Sequence, residues 1–144
     1  KVKARGFLVK LDTNGLLPDK LEELIPIIDF VAMDIKSSLK NYSNICGVKI
    51  DQEKIKKSVE LIKENAKDYE FRTTVVKGLV SKEDIVDICN WLKGSKKYAI
   101  QQFDKRQKLI NDEVKKFPIY TKEEMSDFKE YCQEYFNIVE LRNL

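Results

Sequence analysis

The 144-residue sequence predicts an α/β fold, a parallel sheet or partial, open (β/α) barrel, and three observations carry that prediction. Short β-rich apolar runs alternate with stretches of helical period along the whole chain. The segments between successive strands are long enough to be crossover helices, which return the chain in the same direction and make neighbouring strands parallel. Capping and turn residues stand where the period changes. No internal boundary or low-complexity segment interrupts the pattern, so residues 1–144 read as a single domain unit.

Residues 1–5 read as the last turn of a helix, closed by Gly6 in the left-handed conformation that glycine adopts freely. The chain is therefore expected to begin inside a helix whose earlier part is missing. Residues 7–11 form the first strand. Pro18 suits the first turn of a helix whose buried face is Leu21, Leu24, Ile25 and Ile28. Residues 29–35 are the second strand, and residues 39–46 are a short helix or ordered loop ending at Gly47. Asp51 caps the next helix, in which Ile55, Val59 and Ile62 form one stripe.

Residues 69–76 are the third strand. Ser81 and Asp84 form a capping box with Asp in place of the usual Glu, and Ile85, Ile88, Cys89 and Leu92 line the helix that ends at Gly94. Residues 98–103 are the fourth strand. Residues 104–120 are a polar connection with Pro118 near its end. Its basic residues Lys105, Arg106, Lys108, Lys115 and Lys116 read first as a solvated loop and second as a contact for an acidic partner or a phosphate. Thr121 and Glu124 form a second capping box before a helix with Met125, Phe128, Cys132 and Tyr135 on its apolar face. Residues 138–142 are a short final strand.

Composition narrows the chemistry. Lys and Arg number 27 against 24 Asp and Glu, and the two signs are interspersed, so no nucleic-acid-binding stripe emerges. No apolar run is long enough to span a membrane. Without histidine, Ser-His-Asp and Cys-His catalysis and histidine-ligated zinc are excluded for this chain. Three widely spaced cysteines, Cys46, Cys89 and Cys132, do not form a disulfide framework or a local metal motif, and a reducing cytoplasm is expected. Cys89 and Cys132 read as buried structural thiols, and Cys46 has no assigned chemistry.

Ligands of parallel α/β sheets bind at the C-terminal ends of the strands. Polar residues collect there: Asp12, Thr13, Asn14 and Gly15 after the first strand, Asp34 and Lys36 after the second, Arg72 and Thr74 in the third, Gln101 and Gln102 in the fourth. Alternation puts Ala32, Asp34 and Lys36 on one face, and Arg72 and Thr74 on one face of their strand. Each of these features has a plain explanation alone: a turn, a solvated strand end, a structural ion pair. Their recurrence at four successive strand ends points to one shared ligand site, with the ligand itself left open.

Four runs carry a family resemblance in this order: FLVKLDTNG at 7–15, DFVAMDIK at 29–36, YEFRTTVV at 69–76 and YAIQQF at 98–103. The succession resembles the glycyl-radical-enzyme activating branch of the radical S-adenosylmethionine (SAM) superfamily. It is nearest to anaerobic ribonucleoside-triphosphate reductase activating proteins, with pyruvate formate-lyase activating enzymes next. The resemblance implies the C-terminal part of a partial (β/α)6 barrel, from its third strand onward. It implies reductive cleavage of SAM to a 5′-deoxyadenosyl radical that takes a hydrogen from a glycine of a partner such as anaerobic ribonucleotide reductase, with reduced flavodoxin or ferredoxin as electron donor. The family's Cys-x3-Cys-x2-Cys ligands to a [4Fe–4S] cluster and its Gly-Gly-Glu-Pro segment are absent from these residues. The chain alone is therefore expected to be inactive.

The resemblance assigns SAM-binding roles residue by residue. Asp12, Thr13 and Asn14 match the Asp-Thr-Asn-Gly element near the methionyl carboxylate and a monovalent cation. Asp34 matches a residue contacting that cation or the ribose, with Lys36 nearby. Asp12, Thr13 and Asp34 are thus the cation-site candidates. Arg72 matches an arginine that contacts SAM, with Thr74 on the same face, and Val76 and Gln102 match the adenine-side wall. Two other readings stand beside this one: a radical SAM enzyme with a different substrate, and a non-catalytic half-barrel that binds a nucleotide-like ligand or a partner. A missing first half is also expected to leave an apolar strand edge exposed near residues 7–11, favouring self-association.

Overall fold

Five strands lie side by side in the order in which the chain makes them: β1 (Lys10–Thr13), β2 (Phe30–Asp34), β3 (Tyr69–Val75), β4 (Lys97–Gln102) and β5 (Ile138–Arg142). Every neighbouring pair is parallel. The structure, a computed structural model, describes residues 2–106 and 112–144, so Lys1 and Lys108 lie outside the described residues. The crossovers contain α1 (Pro18–Leu24), α2 (Tyr42–Cys46), α3 (Gln52–Asn65), α4 (Lys82–Leu92) and α5 (Lys122–Cys132).

Local chemistry accounts for the boundaries. A single 3-10 turn at Lys3–Arg5 ends at Gly6, whose φ of 81° lies in the left-handed region. Pro18 starts α1, and Pro26 lies in the 3-10 turn Ile25–Ile27 that follows it. The Asp51 carboxylate accepts from the Glu53 amide at the start of α3. Both expected capping boxes form, Ser81 with Asp84 and Thr121 with Glu124.

Two boundaries differ from the sequence expectation. The first strand lies at Lys10–Thr13 rather than at residues 7–11. Its extent is set by its partner: pairing starts where Lys10 meets Phe30, and Phe7 and Leu8 remain exposed. The connection after β4 contains a 3-10 turn at Asp112–Lys116. Ion pairs three residues apart, Asp112 with Lys115 at 2.7 Å and Glu113 with Lys116 at 2.5 Å, hold it without an apolar stripe to announce it.

One face of the sheet is dry. Val31, Met33, Phe71, Thr73, Val75, Tyr98 and Ile100 are buried in one core with Ile55, Val59 and Ile62 of α3, Ile85, Ile88 and Leu92 of α4, and Met125 and Phe128 of α5. The polar groups in this layer are satisfied, since the Tyr98 hydroxyl donates to Thr73 Oγ1 at 2.8 Å. Cys89 and Cys132 are free buried thiols, their sulfurs 3.0 Å apart between α4 and α5. Burial raises the half-buried Cys46 thiol, and Cys46 also remains free.

The opposite face carries charge. Glu70, Arg72 and Thr74 of β3 alternate with the buried Phe71, Thr73 and Val75. The residues in register with them include Asp34, Ala99 and Gln101. The exposed apolar side chains near β1 are Phe7 and Leu8, while the open face is lined by paired ions.

Candidate functional site

Register brings the site together. Asp12 pairs with Ala32, and Asp34 pairs with Arg72, so three consecutive strands each contribute one charged residue to the same face. Ala32 is buried with only a methyl group between these rows, leaving room for the long Arg72 side chain to reach across. Arg72 Nη2 meets Asp12 Oδ1 at 2.6 Å, while Arg72 Nε donates to Asp34 Oδ1. Lys36 Nζ holds the second oxygen, Asp34 Oδ2, at 2.9 Å. Alongside, Gln101 Nε2 donates to Thr74 Oγ1 at 3.2 Å.

The electrostatics follow from the contacts. Burial works to raise the Asp34 carboxyl, but hydrogen bonds from Arg72 and Lys36 outweigh it and hold it below the usual carboxylate range. Burial likewise opposes the Arg72 charge, and Asp34 and Asp12 more than restore it. The result is a fixed guanidinium with two carboxylates at the C-terminal end of the sheet. An incoming carboxylate can compete for the guanidinium fork, and hydroxyls can donate to the aspartates.

Other expected site residues lie elsewhere. Thr13 falls on the face opposite Asp12, and its Oγ1 accepts from the Gly15 amide at 3.1 Å. Asn14 Oδ1 accepts from the Leu16 amide at 3.1 Å, so both residues build the turn after β1. Val76 is buried just past β3, and its carbonyl accepts from the amides of Leu79 and Val80. Gln102 has the alternation of the buried Tyr98 and Ile100, and its Nε2 donates to the Tyr120 carbonyl. Gln101, its neighbour, is the glutamine that reaches the open face.

Sequence reasoning also missed a second ion cluster on this face. Glu70 is 2% exposed, and Arg142 grips it with both ends of its fork at 3.0 and 2.6 Å. Lys97 meets Glu140 at 2.7 Å beside it. The available signal was the two-residue spacing of Glu70, Arg72 and Thr74, which places all three on one side of β3.

The residues fit SAM and do not fit its redox partner group. A carboxylate-binding guanidinium beside two hydroxyl-accepting carboxylates matches the donor and acceptor set of an amino-acid nucleoside. No group of three or more metal-ligating His, Cys, Asp or Glu side chains exists among the described residues. Two of the three cysteines are buried against each other between helices, so no [4Fe–4S] ligand set is present among the described residues. Asp12 and Asp34 converge on Arg72, with Thr13 on the other face, so these three do not frame a cation in this arrangement.

No protein-family model matches the chain. A curated protein of Methanocaldococcus jannaschii, named as a glycyl-radical enzyme activating enzyme, is 36% identical over 148 residues. The match takes in 99% of this chain and 61% of that relative, so the chain spans about three-fifths of the relative's length. A domain of pyruvate-formate lyase-activating enzyme from Bacteroides vulgatus has the same fold, with a TM-score of 0.76 over 99% of this chain and 84% of that domain at 13% identity. In sequence the chain thus resembles a glycyl-radical enzyme activating enzyme, and its fold is that of the pyruvate-formate lyase-activating enzyme domain.

Proposed function

We propose that this chain is the C-terminal, SAM-binding part of a radical SAM activating enzyme, a segment of one partial-barrel domain. The observation that carries the reading is Arg72 held by Asp12 and Asp34 across three parallel strands at their C-terminal ends. When bound, SAM supplies the chemistry by reductive cleavage to methionine and a 5′-deoxyadenosyl radical, which takes a hydrogen atom from a glycine of a partner enzyme. Arg72 receives the methionyl carboxylate, Asp34 and Asp12 accept from hydroxyls or take up a monovalent cation when the ligand displaces the guanidinium, and Lys36 keeps Asp34 oriented. Thr13 and Asn14 shape the turn that aims Asp12. Val76 and Gln102 close the adenine side through the backbone at the ends of β3 and β4.

The partner is a glycyl-radical enzyme, and anaerobic ribonucleotide reductase is the one that the resemblance to its activating proteins implies. Reduced flavodoxin or ferredoxin, as electron donor, belongs to the same reading, as does a cytoplasmic setting. The lack of cluster ligands among the described residues favours a second statement about this polypeptide by itself: it binds SAM without cleaving it.

Calorimetric titration of the chain with SAM tests both. Saturable binding is expected, weakened about tenfold or more by Arg72→Ala or Asp34→Ala. Under anaerobic reducing conditions the chain should release no 5′-deoxyadenosine. Absence of saturable binding by a folded chain would overturn the site, and 5′-deoxyadenosine production would overturn the inactivity.

A further inference from the structure

The two buried cysteines form a cluster that SAM binding leaves unused. Cys89 lies on the apolar face of α4 and Cys132 on that of α5, 43 residues apart in sequence. Each stands where an aliphatic side chain would serve the core, among Ile85, Ile88, Leu92, Met125 and Phe128. Packing of the two helices sets the thiols opposite each other, with the sulfurs 3.0 Å apart. Ordinary van der Waals contact is about 3.5–4.0 Å between carbon atoms, and sulfur is larger. The pair is closer than apolar packing requires, and a movement of about 1 Å brings it to the bonded S–S distance. Cys46 lies on α2, in another crossover.

Both side chains are 0% exposed. The hydrogen bond with Cys89, and then burial, push the Cys132 thiol up, so the resting pair is a protonated dithiol. Bulky or charged oxidants stay outside such a core. A small neutral peroxide enters when the helices part locally, and the second thiol then stands beside the first as its resolving partner.

We propose that Cys89 and Cys132 are an oxidative modification site, a dithiol that hydrogen peroxide converts to a disulfide joining α4 to α5. One sulfur attacks a peroxide oxygen, the O–O bond breaks, and a sulfenic acid and one water result. The other sulfur attacks the sulfenic sulfur, the S–S bond forms, and the hydroxyl leaves with the thiol proton as a second water. Two thiols and one peroxide thus give one disulfide and two waters, and two electrons pass from sulfur to oxygen. The bond closes a loop through β4 and the connection to α5, and a closed loop restricts the unfolded chain more than the folded one. A thiol reductant reverses it, which makes the modification a signal. The site does not depend on SAM binding.

Cys46→Ser removes the third thiol, which could otherwise pair between molecules. This variant is treated with hydrogen peroxide in native buffer, alkylated in denaturant and mapped by mass spectrometry. The expected product is lighter by about 2 Da, takes up no alkylating agent and yields peptides joined through Cys89 and Cys132. Dithiothreitol should restore both thiols. The oxidised form should melt about 5–15 °C above the reduced form. If Cys46→Ser fails to fold by circular dichroism, the same map of the unaltered chain decides, with Cys46 outside the bond. Alkylation of both Cys89 and Cys132 after peroxide treatment, oxygen added to either sulfur in place of the bond, disulfides only between molecules, or a lower melting temperature on oxidation would overturn the proposal.

Discussion

Glu70 shows what a single residue on the open face demands. Its carboxylate is almost fully removed from solvent, and the Arg142 fork supplies the compensation, with Lys97 more distant at 3.8 Å. Removing Arg142 leaves a buried charge underpaired, so Arg142→Met is expected to lower unfolding stability by about 1–3 kcal/mol in a denaturant titration. The same pair predicts an acid limb. Burial acts to raise the Glu70 carboxyl, and Arg142 overcompensates, leaving it below its ordinary value. Asp29 is depressed to about 2, first by the hydrogen bond from Lys3 and then by the Val9 amide. Groups depressed in the folded state add stability that is complete above their unfolded values near pH 4 and disappears as pH falls through the folded ones. Thermal melts from pH 6 to pH 2 should show midpoints falling below about pH 4.5, with a smaller fall in Arg142→Met. Residue placement was legible where period two governs. Alternation sets Asp34 with Ala32 and Arg72 with Glu70 and Thr74, the register of β2 on β3 brings the two sets to one face, and the same alternation turns Thr13 and Gln102 to the opposite one.

The elements were legible to the extent that their ends carry their own hydrogen-bond chemistry. The Ser81 box does more than start α4: Asp84 also accepts from Ser38 and from Asn41 Nδ2 at 3.2 Å, tying the segment before α2 to that helix. Ser81→Ala should therefore cost about 1 kcal/mol, the ordinary value of a lost cap. Asp84→Ala should cost more, about 2–3 kcal/mol, because Ser38 and Asn41 lose their acceptor as well. Equal losses in the two variants would show that the link to α2 contributes nothing. The turn after β1 is similarly constrained. Gly15 has φ of 77°, a Cβ there would stand 2.1 Å from the Met33 terminal methyl, and its carbonyl accepts from Ser58 Oγ at 2.7 Å. Gly15→Ala should lower stability by about 1–2 kcal/mol and, by tilting the turn, weaken SAM binding through Asp12. Helix ends announced themselves in sequence because caps are local. The start of β1 and the 3-10 turn Asp112–Lys116 did not, because the first depends on β2 and the second on ion pairs without apolar period.

At the scale of the whole molecule, the sheet class was readable from alternation alone, since each crossover contains a helix and the strands it joins must run parallel. The charged character of the open face was not, because it depends on which strands become neighbours. Among the described residues β1 pairs only with β2, and Phe7 and Leu8 beside it are 63% and 85% exposed. An edge strand with adjacent apolar side chains is a template for pairing with another chain. Light scattering is expected to show concentration-dependent association of this chain, and Leu8→Lys should suppress it without shifting the melting temperature. A monomer at all concentrations would show that the charges of Lys10 and Asp12 already guard this edge.

Because sheet order is chain order, each strand docks beside the one made just before it. No strand waits for a later one to be inserted between two earlier ones. A polypeptide emerging from the ribosome can lay down this sheet in one direction as it is synthesised, each βα unit finding its template already in place. Winding of this kind is vectorial, and it makes β1 the template from which the other four strands follow.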